Sequence, residues 1–368
     1  RIHFSQGGFA FHKRAEVLAA WANDGLCVAV GGTHGKTTTS SLLAWILFQA
    51  GTGARAFLGG IATNFGSNRV AGTGPITVVE ADEFDRSFLH LRPRVALITS
   101  TDADHLDIYG TAEGARLAFE AFAELTLGNG GTLLEANGLN LGGIAYGVDA
   151  PDAPYSASNL RTEDGYQVFD LRLETVEILG VRAGLPGRHN IENAVGAAAA
   201  AHLLGVGAKD ICAAIASFRG VARRFDVRVR TDATVYIDDY AHHPTELRAA
   251  LRAARQLHPN RPLTALFQPH LFTRTRDFLP EFAEALQEAD TVVLLPIYPA
   301  RELPLPGITS EALAAAFPEE KRPQVMSPQE AVEWVLRTHP SLLMTLGAGD
   351  IDRLVPVFEA HFTQHSQR

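Results

Sequence analysis

The first half of the chain alternates short apolar runs rich in β-branched residues with longer helical stretches. Runs of this length and composition are typical of strands that are buried on both faces of a sheet. The predicted strands are LCVAV, PITVVEAD and RVALITST, and the predicted helices are residues 15–21, TTTSSLLAWILFQA and TAEGARLAFEAFAEL. Gly51 closes the second of these helices, and Thr111 is the expected N-cap of the third. Strands that alternate with helices favour a mostly parallel sheet covered by helices.

The second half of the chain changes character twice. Residues 131–185 are turn-rich and β-like, with GYQVFDLRL the clearest strand, and a helix follows from about Ile191 through an alanine-rich segment. The segment SFRGVARRFDVRV then predicts a hinge into a second α/β unit. The predicted strands of this unit are ATVYIDDY, PLTALFQPH, DTVVLLPIY and SLLMTLGAG. Two of its helices carry start signals, Pro244 at a first helical position and a capping box of Ser327 and Glu330.

Composition narrows the class of protein without identifying it. The chain has 368 residues, of which 46% are hydrophobic and 20% charged, as expected of an α/β protein with a full core. The chain has 32 lysine and arginine residues and 41 aspartate and glutamate residues, which gives a net charge of -9. This negative charge argues against a nucleic-acid partner. No apolar stretch is long enough to span a bilayer, and Cys27 and Cys212 show no metal-ligand spacing. We therefore expect a cytoplasmic protein with buried, reduced thiols and no membrane partner; composition does not bear on its oligomeric state.

The turn GTHGKT, residues 32–37, joins the first predicted strand to the helix that follows it. A phosphate-binding loop requires this context, although the usual spacing would place its first glycine at Val30. In a nucleotide site, backbone N–H groups hold the phosphates, Lys36 neutralises their β and γ oxygens, and Thr37 offers its hydroxyl to Mg²⁺. The alternative is a tight glycine turn with a solvated lysine, and the loop alone does not decide between them.

Side chains capable of chemistry also follow two later strands. Glu80 ends the apolar run of PITVVEAD, and Asp104 and His105 follow RVALITST. Ligands of open α/β sheets bind at the carboxyl ends of the strands, so these side chains are expected to converge with Lys36 and Thr37. Alternatively, the histidine is structural and the neighbouring aspartates are caps and turn formers.

Several motifs occur in an order that resembles the Mur ligase family. They span nearly the whole chain, which makes the resemblance specific. The motifs are GTHGKTTT, VVEADEFDRSF, TDADHLDIYG, GRHNIENA, FRGVARRF, DDYAHHPTE, FQPHLFTRTRDF, YPARELPLPGITS and GAGDID. The shortened phosphate loop is this family's own form, so the resemblance favours a nucleotide site at residues 32–37.

The resemblance implies an ATP-dependent ligase that forms an amide. In this family the γ-phosphate of ATP activates a substrate carboxylate, and an amine then attacks the acyl phosphate, leaving ADP and phosphate. Two anions must approach each other, so cations must neutralise the transferring phosphoryl group. The match within the family implies that UDP-N-acetylmuramate supplies the carboxylate and L-alanine the amine, in peptidoglycan precursor synthesis.

The same resemblance assigns roles around the nucleotide. Thr37 and Glu80 are expected to hold one Mg²⁺ and His105 a second. The expected catalytic residues are Lys36, His105 and Arg224. The expected ATP-binding residues are Gly32, Thr33, His34, Gly35, Lys36, Thr37, Thr38, His189, Asn190, Asn193, Arg224 and Asp239. The segment GRHNIENA resembles the adenine-binding part, and its alternative reading is a glycine turn with an N-cap.

The second α/β unit resembles the part of the family that receives the amino acid. Arg224 is expected to reach the γ-phosphate and Asp239 the ribose hydroxyls, whereas Arg223 is expected to be a solvated surface charge. The expected amino-acid-binding residues are Tyr240, His243, His270 and Arg274. Leu271 stands where relatives often carry an arginine, which removes one expected contact.

The front of the chain departs from the family pattern. Alanine-adding members begin with a Rossmann-like domain for the UDP-sugar, of which RIHF resembles the opening strand and FHKRAEVL a segment at the end. We expect most of that domain to be absent from this chain. The expected divisions are residues 1–24 as its remnant and lead-in, 25–218 as a central ATP-binding domain with a P-loop-type sheet, and 219–368 as a smaller Rossmann-like domain that binds the amino acid.

Two alternative functions stay open at the level of sequence. A muropeptide-recycling member of the family joins a preformed tripeptide to the same acceptor, although FQPHLFTRTRDF and YPARELPLPGITS favour the alanine enzyme. A chain with an incomplete sugar domain could instead bind ATP without forming an amide.

Overall fold

The computed structural model of the protein describes residues 11–102, 106–163 and 166–365. The chain divides into two compact units, Arg1–Leu185 with His189–Gly220, and Pro186–Arg188 with Val221–Arg368. The break after Gly220 falls within the segment SFRGVARRFDVRV. The roles expected for the domains stay predictions.

The first unit is built on a mostly parallel sheet. Its described strands are β1 (Leu26–Gly31), β2 (Arg55–Ala62), β3 (Ser67–Val70), β4 (Ile76–Glu80), β5 (Val95–Ile98), β6 (Thr132–Ala136), β7 (Ile144–Val148), β8 (Tyr155–Glu163), β9 (Tyr166–Leu173) and β10 (Val176–Arg182). Over the described residues they lie in the order β10-β9-β8-β7-β6-β5-β1-β4-β2-β3. The neighbours from β8 to β2 pair in parallel, whereas β3, β9 and β10 pair antiparallel.

Helices and one 3-10 turn accompany this sheet. The described helices are α1 (Arg14–Asn23), α2 (Lys36–Gln49), α3 (Leu106–Tyr109), α4 (Ala112–Gly128), α5 (Arg188–Leu203) and α6 (Ala208–Ser217). The 3-10 turn Phe84–His90 follows β4, and its Phe88 stacks on Phe122 of α4 with ring centroids 4.8 Å apart. Phe88 is fully buried, so this aromatic contact anchors the turn to the core.

The second unit has its own α/β sheet. Its described strands are β11 (Asp226–Arg230), β12 (Val235–Asp239), β13 (Leu263–Phe267), β14 (Thr291–Leu294), β15 (Gln324–Val325) and β16 (Leu342–Leu346). Over the described residues their order is β11-β12-β16-β13-β14-β15, with only the β11–β12 pair antiparallel. The described helices are α7 (Pro244–Leu257), α8 (Phe272–Asp277), α9 (Leu279–Leu286), α10 (Ser310–Ala315), α11 (Pro328–Thr338) and α12 (Val355–His365), with 3-10 turns at Glu319–Lys321 and Asp350–Leu354.

Alternate residues of β12 enter two separate cores. Val235 and Ile237 join the cluster that contains Leu251 of α7, whereas Tyr236 joins the cluster that contains Phe358 of α12. Successive side chains of a strand point to opposite faces, so each face of this sheet is buried. The predicted α/β class, with a mostly parallel first sheet and a second sheet unit, is confirmed.

Three of the predicted helix starts are confirmed and one differs. Thr111 accepts a hydrogen bond from Gly114 N, and Ser327 with Glu330 forms the capping box of α11. Pro244 lies in the first turn of α7. The helix expected from about Ile191 begins earlier, at Arg188.

Two expectations from composition can be compared with the structure. No helix among the described residues is long and apolar enough to cross a membrane. Both cysteines are free thiols; Cys27 is buried, but Cys212 is only half-buried, which corrects the expectation for that thiol. Burial raises the pKa of Cys27 to about 12, so this thiol stays protonated at neutral pH.

Candidate active site

The turn between β1 and α2 requires glycine at two positions. Gly32 has φ +128° and Gly35, the N-cap of α2, has φ +82°, a region that disfavours residues with a Cβ. A Cβ at Gly32 would lie 2.1 Å from Thr99 Oγ1, and one at Gly35 would lie 2.4 Å from Asn193 Oδ1. A side chain at either glycine would therefore collide with the segment that follows β5 or with α5.

The segment that follows β5 holds the turn in place through hydrogen bonds. Thr33 N donates to Ser100 O at 3.1 Å, and His34 N donates to Ser100 Oγ at 2.8 Å. His34 Nε2 also lies 3.3 Å from a carboxylate oxygen of Asp102. Since these groups lie at the carboxyl end of a parallel strand, the turn sits where open α/β sheets bind ligands.

Lys36 is not the solvated lysine of the alternative reading. Its side chain is 13% exposed, and Nζ donates to both carboxylate oxygens of Glu83 at 2.6 and 2.8 Å. It also donates to Gly32 O at 2.7 Å. Burial raises the pKa of the Glu83 carboxyl above its ordinary value, whereas the Lys36 ammonium acts in the opposite direction.

Thr37 and Glu80 meet at the end of β4, as the sequence predicts. Thr37 Oγ1 donates to Glu80 Oε1 at 3.1 Å, and Gly59 N donates to Glu80 Oε2 at 2.9 Å. A hydroxyl beside a carboxylate is an oxygen donor set that suits Mg²⁺, so these residues fit the ion that the resemblance implies. His105, the expected ligand of a second ion, lies outside the described residues, as does Asp104; within the described part of the chain no group of three or more metal-ligating side chains is found.

The segment expected to bind adenine begins α5 and faces α2. Asn190 and Asn193 are both buried, and His189 is half-buried. Asn190 and Thr38 line one small cavity, together with apolar residues of α2 and α6. Adenine binding by this segment stays a prediction.

In the second unit, Arg224 lies between two residues with left-handed backbones. Arg223 has φ 62° and Phe225 has φ 46°, which is unusual for residues other than glycine and indicates a conformation imposed by its surroundings. Asp239 Oδ2 accepts from Phe225 N at 2.8 Å and so fixes one side of Arg224. The Arg224 guanidinium lies 4.8 Å from the ring centre of Tyr240.

Asp239 is a buried carboxylate with two backbone partners. Its second oxygen accepts from Ala241 N at 2.7 Å. Burial raises the pKa of Asp239 to about 7, and nearby Arg224 acts in the opposite direction. Each carboxylate oxygen can accept a further hydrogen bond, which is compatible with a contact to the ribose hydroxyls. Ribose binding by Asp239 stays a prediction.

The expectation that Arg223 is a solvated surface charge is wrong. Its Nε lies 3.4 Å from the buried Asp238, its Nη1 lies 3.3 Å from Asp352, and its Nη2 donates to Gly347 O at 2.7 Å. A planar guanidinium can satisfy several acceptors in one fixed orientation. Arg223 therefore anchors the backbone that carries Arg224.

Of the residues expected to bind the amino acid, Arg274 and His270 lie together at α8, whereas His243 lies at the start of α7. Arg274 is 6% exposed and its Nη1 donates to Nδ1 of His270 at 3.3 Å. His243 is buried as the N-cap of α7 and packs edge-on against Phe278. His242, which sequence reasoning did not select, has its ring 6.0 Å from that of His270.

The turn that carries His270 and Leu271 is also strained. Leu271 has φ 71°, and its N–H donates to Tyr298 O at 3.0 Å. The His270 ring stacks on the Tyr298 ring at 5.8 Å. An aliphatic residue with a positive φ is uncommon, and the surrounding contacts must hold it there.

Glu83 is the main functional candidate that sequence reasoning missed. The motif VVEADEFDRSF contains three carboxylates after Glu80, and nothing in their spacing singles out the one that meets Lys36. In the sequence, the presence of three further carboxylates within five residues of Glu80 is the signal that could have indicated a partner for Lys36.

Comparison with known proteins identifies the families that this chain resembles. Residues 30–201 match the Mur ligase middle domain, and residues 223–349 match the domain described as Mur ligase, glutamate ligase domain. The UDP-N-acetylmuramate–L-alanine ligase of Flavobacterium psychrophilum is 46% identical over 353 residues, which cover 96% of this chain and 78% of that protein.

Solved structures agree with the sequence matches. The UDP-N-acetylmuramate-alanine ligase of Thermotoga maritima superposes with a TM-score of 0.78 at 26% identity, covering 95% of this chain and 78% of that one. The MurF ligase of Thermotoga maritima, solved in complex with ADP, shares the fold with a TM-score of 0.72 at 18% identity, covering 97% and 86% of the two chains.

Proposed function

Because the chain belongs to the Mur ligase family, we propose that it joins L-alanine to the carboxyl group of UDP-N-acetylmuramate with the cleavage of ATP to ADP and phosphate. The resemblance found in the sequence is confirmed by the relative that is 46% identical over 96% of the chain. The observation that carries the proposal is the contact of Thr37 with Glu80 at the carboxyl end of β4, next to Lys36 at the start of α2.

The proposed reaction places a heavy demand on charge neutralisation. A carboxylate oxygen of the sugar substrate attacks the γ-phosphorus while ADP leaves, and the amine of L-alanine then attacks the acyl carbon while phosphate leaves. Lys36 and the N–H groups of the turn neutralise the phosphates and hold them in line. Thr37 and Glu80 would hold Mg²⁺, which supplies further positive charge when bound.

The experiment that tests this function compares three nucleophiles. The purified full-length protein is incubated with ATP, Mg²⁺ and UDP-N-acetylmuramate, and ADP and amide are followed separately with L-alanine, with a preformed tripeptide, or with neither. We expect amide with L-alanine and little with the tripeptide. Amide with the tripeptide alone would favour the recycling activity, and nucleotide binding without any amide would favour an ATP-binding module.

We expect Arg274→Ala to raise the KM for L-alanine by roughly ten- to a hundredfold and to spare acyl-phosphate formation. A charged hydrogen bond is worth about 1.5–3 kcal/mol, and the buried Arg274 would use one to grip the amino acid's carboxylate. Rates measured against L-alanine concentration, with ADP release followed separately, check this. Arg276→Ala is the matched control, since Arg276 on the same helix is exposed and pairs with Asp277.

If Arg274→Ala stopped ADP release altogether, Arg274 would belong to the phosphoryl step and the amino-acid site would be misassigned. Loss of affinity for L-alanine in Arg276→Ala as well would indicate a general effect of the helix.

Arg224→Ala is expected to lower turnover by about 10²-fold at saturating L-alanine, because it removes a cation proposed to neutralise the γ-phosphate. The backbone of Arg224 is held by its neighbours, since Arg223 donates to Gly347 O and Phe225 N donates to Asp239, so the fold should persist without the Arg224 side chain. The measurement is a single-turnover assay of phosphoryl transfer with the KM for L-alanine determined in parallel. A change confined to the KM for L-alanine would contradict the assignment.

A further inference from the structure

Lys36 has its ammonium fully engaged within the chain. An ammonium carries three donor hydrogens, and Nζ lies within hydrogen-bond distance of Gly32 O and both oxygens of Glu83. Thr33 O lies further away, at 3.4 Å. A phosphate oxygen can therefore bind this ammonium only if one of the present acceptors gives up its hydrogen bond.

Glu83 is the acceptor that can give way. Gly32 O belongs to the backbone of the turn, whose conformation is set by close packing, whereas the Glu83 carboxylate is on a side chain with rotatable bonds. It is also an anion, as a phosphate is, so the two groups compete for the same cation. Burial raises the pKa of Glu83, and Lys36 is the main group that acts in the opposite direction.

The backbone of Glu83 is anchored even though its side chain can move. Its carbonyl oxygen accepts from Tyr109 Oη at 2.5 Å and from Arg86 N at 2.9 Å. The 3-10 turn that begins after Glu83 is tied to the core by Phe88. A carboxylate on so fixed a backbone can leave the ammonium and return to it without rearrangement of the fold.

We propose that Glu83 is a positioning residue that holds Lys36 at the turn in the absence of nucleotide, yields it to the phosphates, and takes it back as ADP leaves. This inference rests on the proposed function, in which Lys36 binds the nucleotide phosphates. Because Glu83 competes with the phosphates for Lys36, it weakens nucleotide binding and speeds the release of ADP.

Glu83→Gln tests the proposal because the variant keeps the shape of the side chain and removes its charge. We expect ADP to bind roughly tenfold more tightly, which corresponds to about 1.4 kcal/mol. The KM for ATP should fall in the same direction, and kcat should fall if ADP release becomes slower. A merely structural role for Glu83 would lower thermal stability and leave the ADP affinity unchanged or weaker.

The matched control is Glu135→Gln. Glu135 is another buried carboxylate of the first unit, and its oxygens accept from Leu141 N and Gly143 N rather than from a cation. This variant should lose stability without any change in ADP affinity. Glu83→Asp, which keeps the charge but withdraws it by one methylene, should bind ADP with an affinity between those of the wild type and Glu83→Gln.

Calorimetric titration with ADP, with and without Mg²⁺, separates the outcomes. Tighter binding in Glu83→Gln, with Glu135→Gln unchanged, supports the proposal. Equal or weaker binding in Glu83→Gln overturns it, and the same reading applies to Glu83→Asp if the glutamine variant does not fold. Failure of the wild type itself to bind ADP and ATP would overturn the proposed function along with it.

Discussion

Lys36→Met is expected to lower ligase turnover by about 10³-fold, because the variant removes the cation proposed to neutralise the transferring phosphoryl group. The loss of one preorganised charge-stabilising donor typically costs about 10²–10³-fold. Methionine retains most of the aliphatic volume of lysine, so packing around the turn is preserved. The measurement is the initial rate of ADP release with UDP-N-acetylmuramate and L-alanine both saturating.

The structure adds a complication that a second variant resolves. Lys36 pairs with the buried Glu83, and removing one partner of a buried pair costs about 3–5 kcal/mol of stability. Lys36→Met alone could therefore lose activity by unfolding. In the double variant with Glu83→Gln the unpaired charge is gone, so we expect thermal stability to recover while turnover stays low.

Two results would contradict this prediction. Normal turnover in the folded single variant would place the phosphate site elsewhere. Recovery of activity in the double variant would mean that Lys36 serves only as the partner of Glu83.

Glu80→Gln is expected to raise the Mg²⁺ concentration needed for half-maximal activity at least about tenfold and to lower the maximal rate. A carboxylate is a far better ligand for this hard cation than a neutral amide. Glutamine can keep both protein contacts if its carbonyl oxygen accepts from Gly59 N and its NH₂ donates to the Thr37 hydroxyl, so the variant should stay folded. Initial rates over a Mg²⁺ titration give both quantities.

Glu135→Gln again serves as the control for neutralising a buried carboxylate, and its Mg²⁺ dependence should match that of the wild type. His105 is the expected ligand of a second Mg²⁺, and His105→Ala should raise the Mg²⁺ requirement as Glu80→Gln does, but by a smaller factor. If neither Glu80→Gln nor His105→Ala changed the Mg²⁺ dependence, the proposal of two metal ions would be refuted.

The nucleotide-binding part of the candidate site could be predicted from local patterns in the sequence. A strand, a glycine-rich turn and a helix follow one another without interruption, so the position of Lys36 and Thr37 depends on few long-range contacts. Glu80 ends a neighbouring buried strand, and parallel strands bring their carboxyl ends to the same edge of a sheet. The contact between Thr37 and Glu80 at 3.1 Å follows from these two regularities.

The charged partners of the site could not be read in this way. Glu83 meets Lys36 across 47 positions of sequence, and its direction depends on a 3-10 turn anchored by the packing of Phe88. Arg223 and Arg224 are adjacent residues of the same type, so the sequence does not distinguish their roles. The contacts of Arg223 with Asp238 and Asp352 make it the anchor of the backbone and leave Arg224 as the candidate ligand of the γ-phosphate.

The sequence by itself determined the alternation of strands and helices, the glycine turn, the helix caps and the family, because each depends on neighbouring residues or on the order of motifs. Tertiary structure alone decided which ionisable groups face each other. An ion pair forms where backbones from distant segments approach within a few ångströms, and that approach is set by the packing of apolar side chains that carry no charge themselves. For this protein, the pairing of Lys36 with Glu83 is therefore a property of the folded core as much as of the turn that carries the lysine.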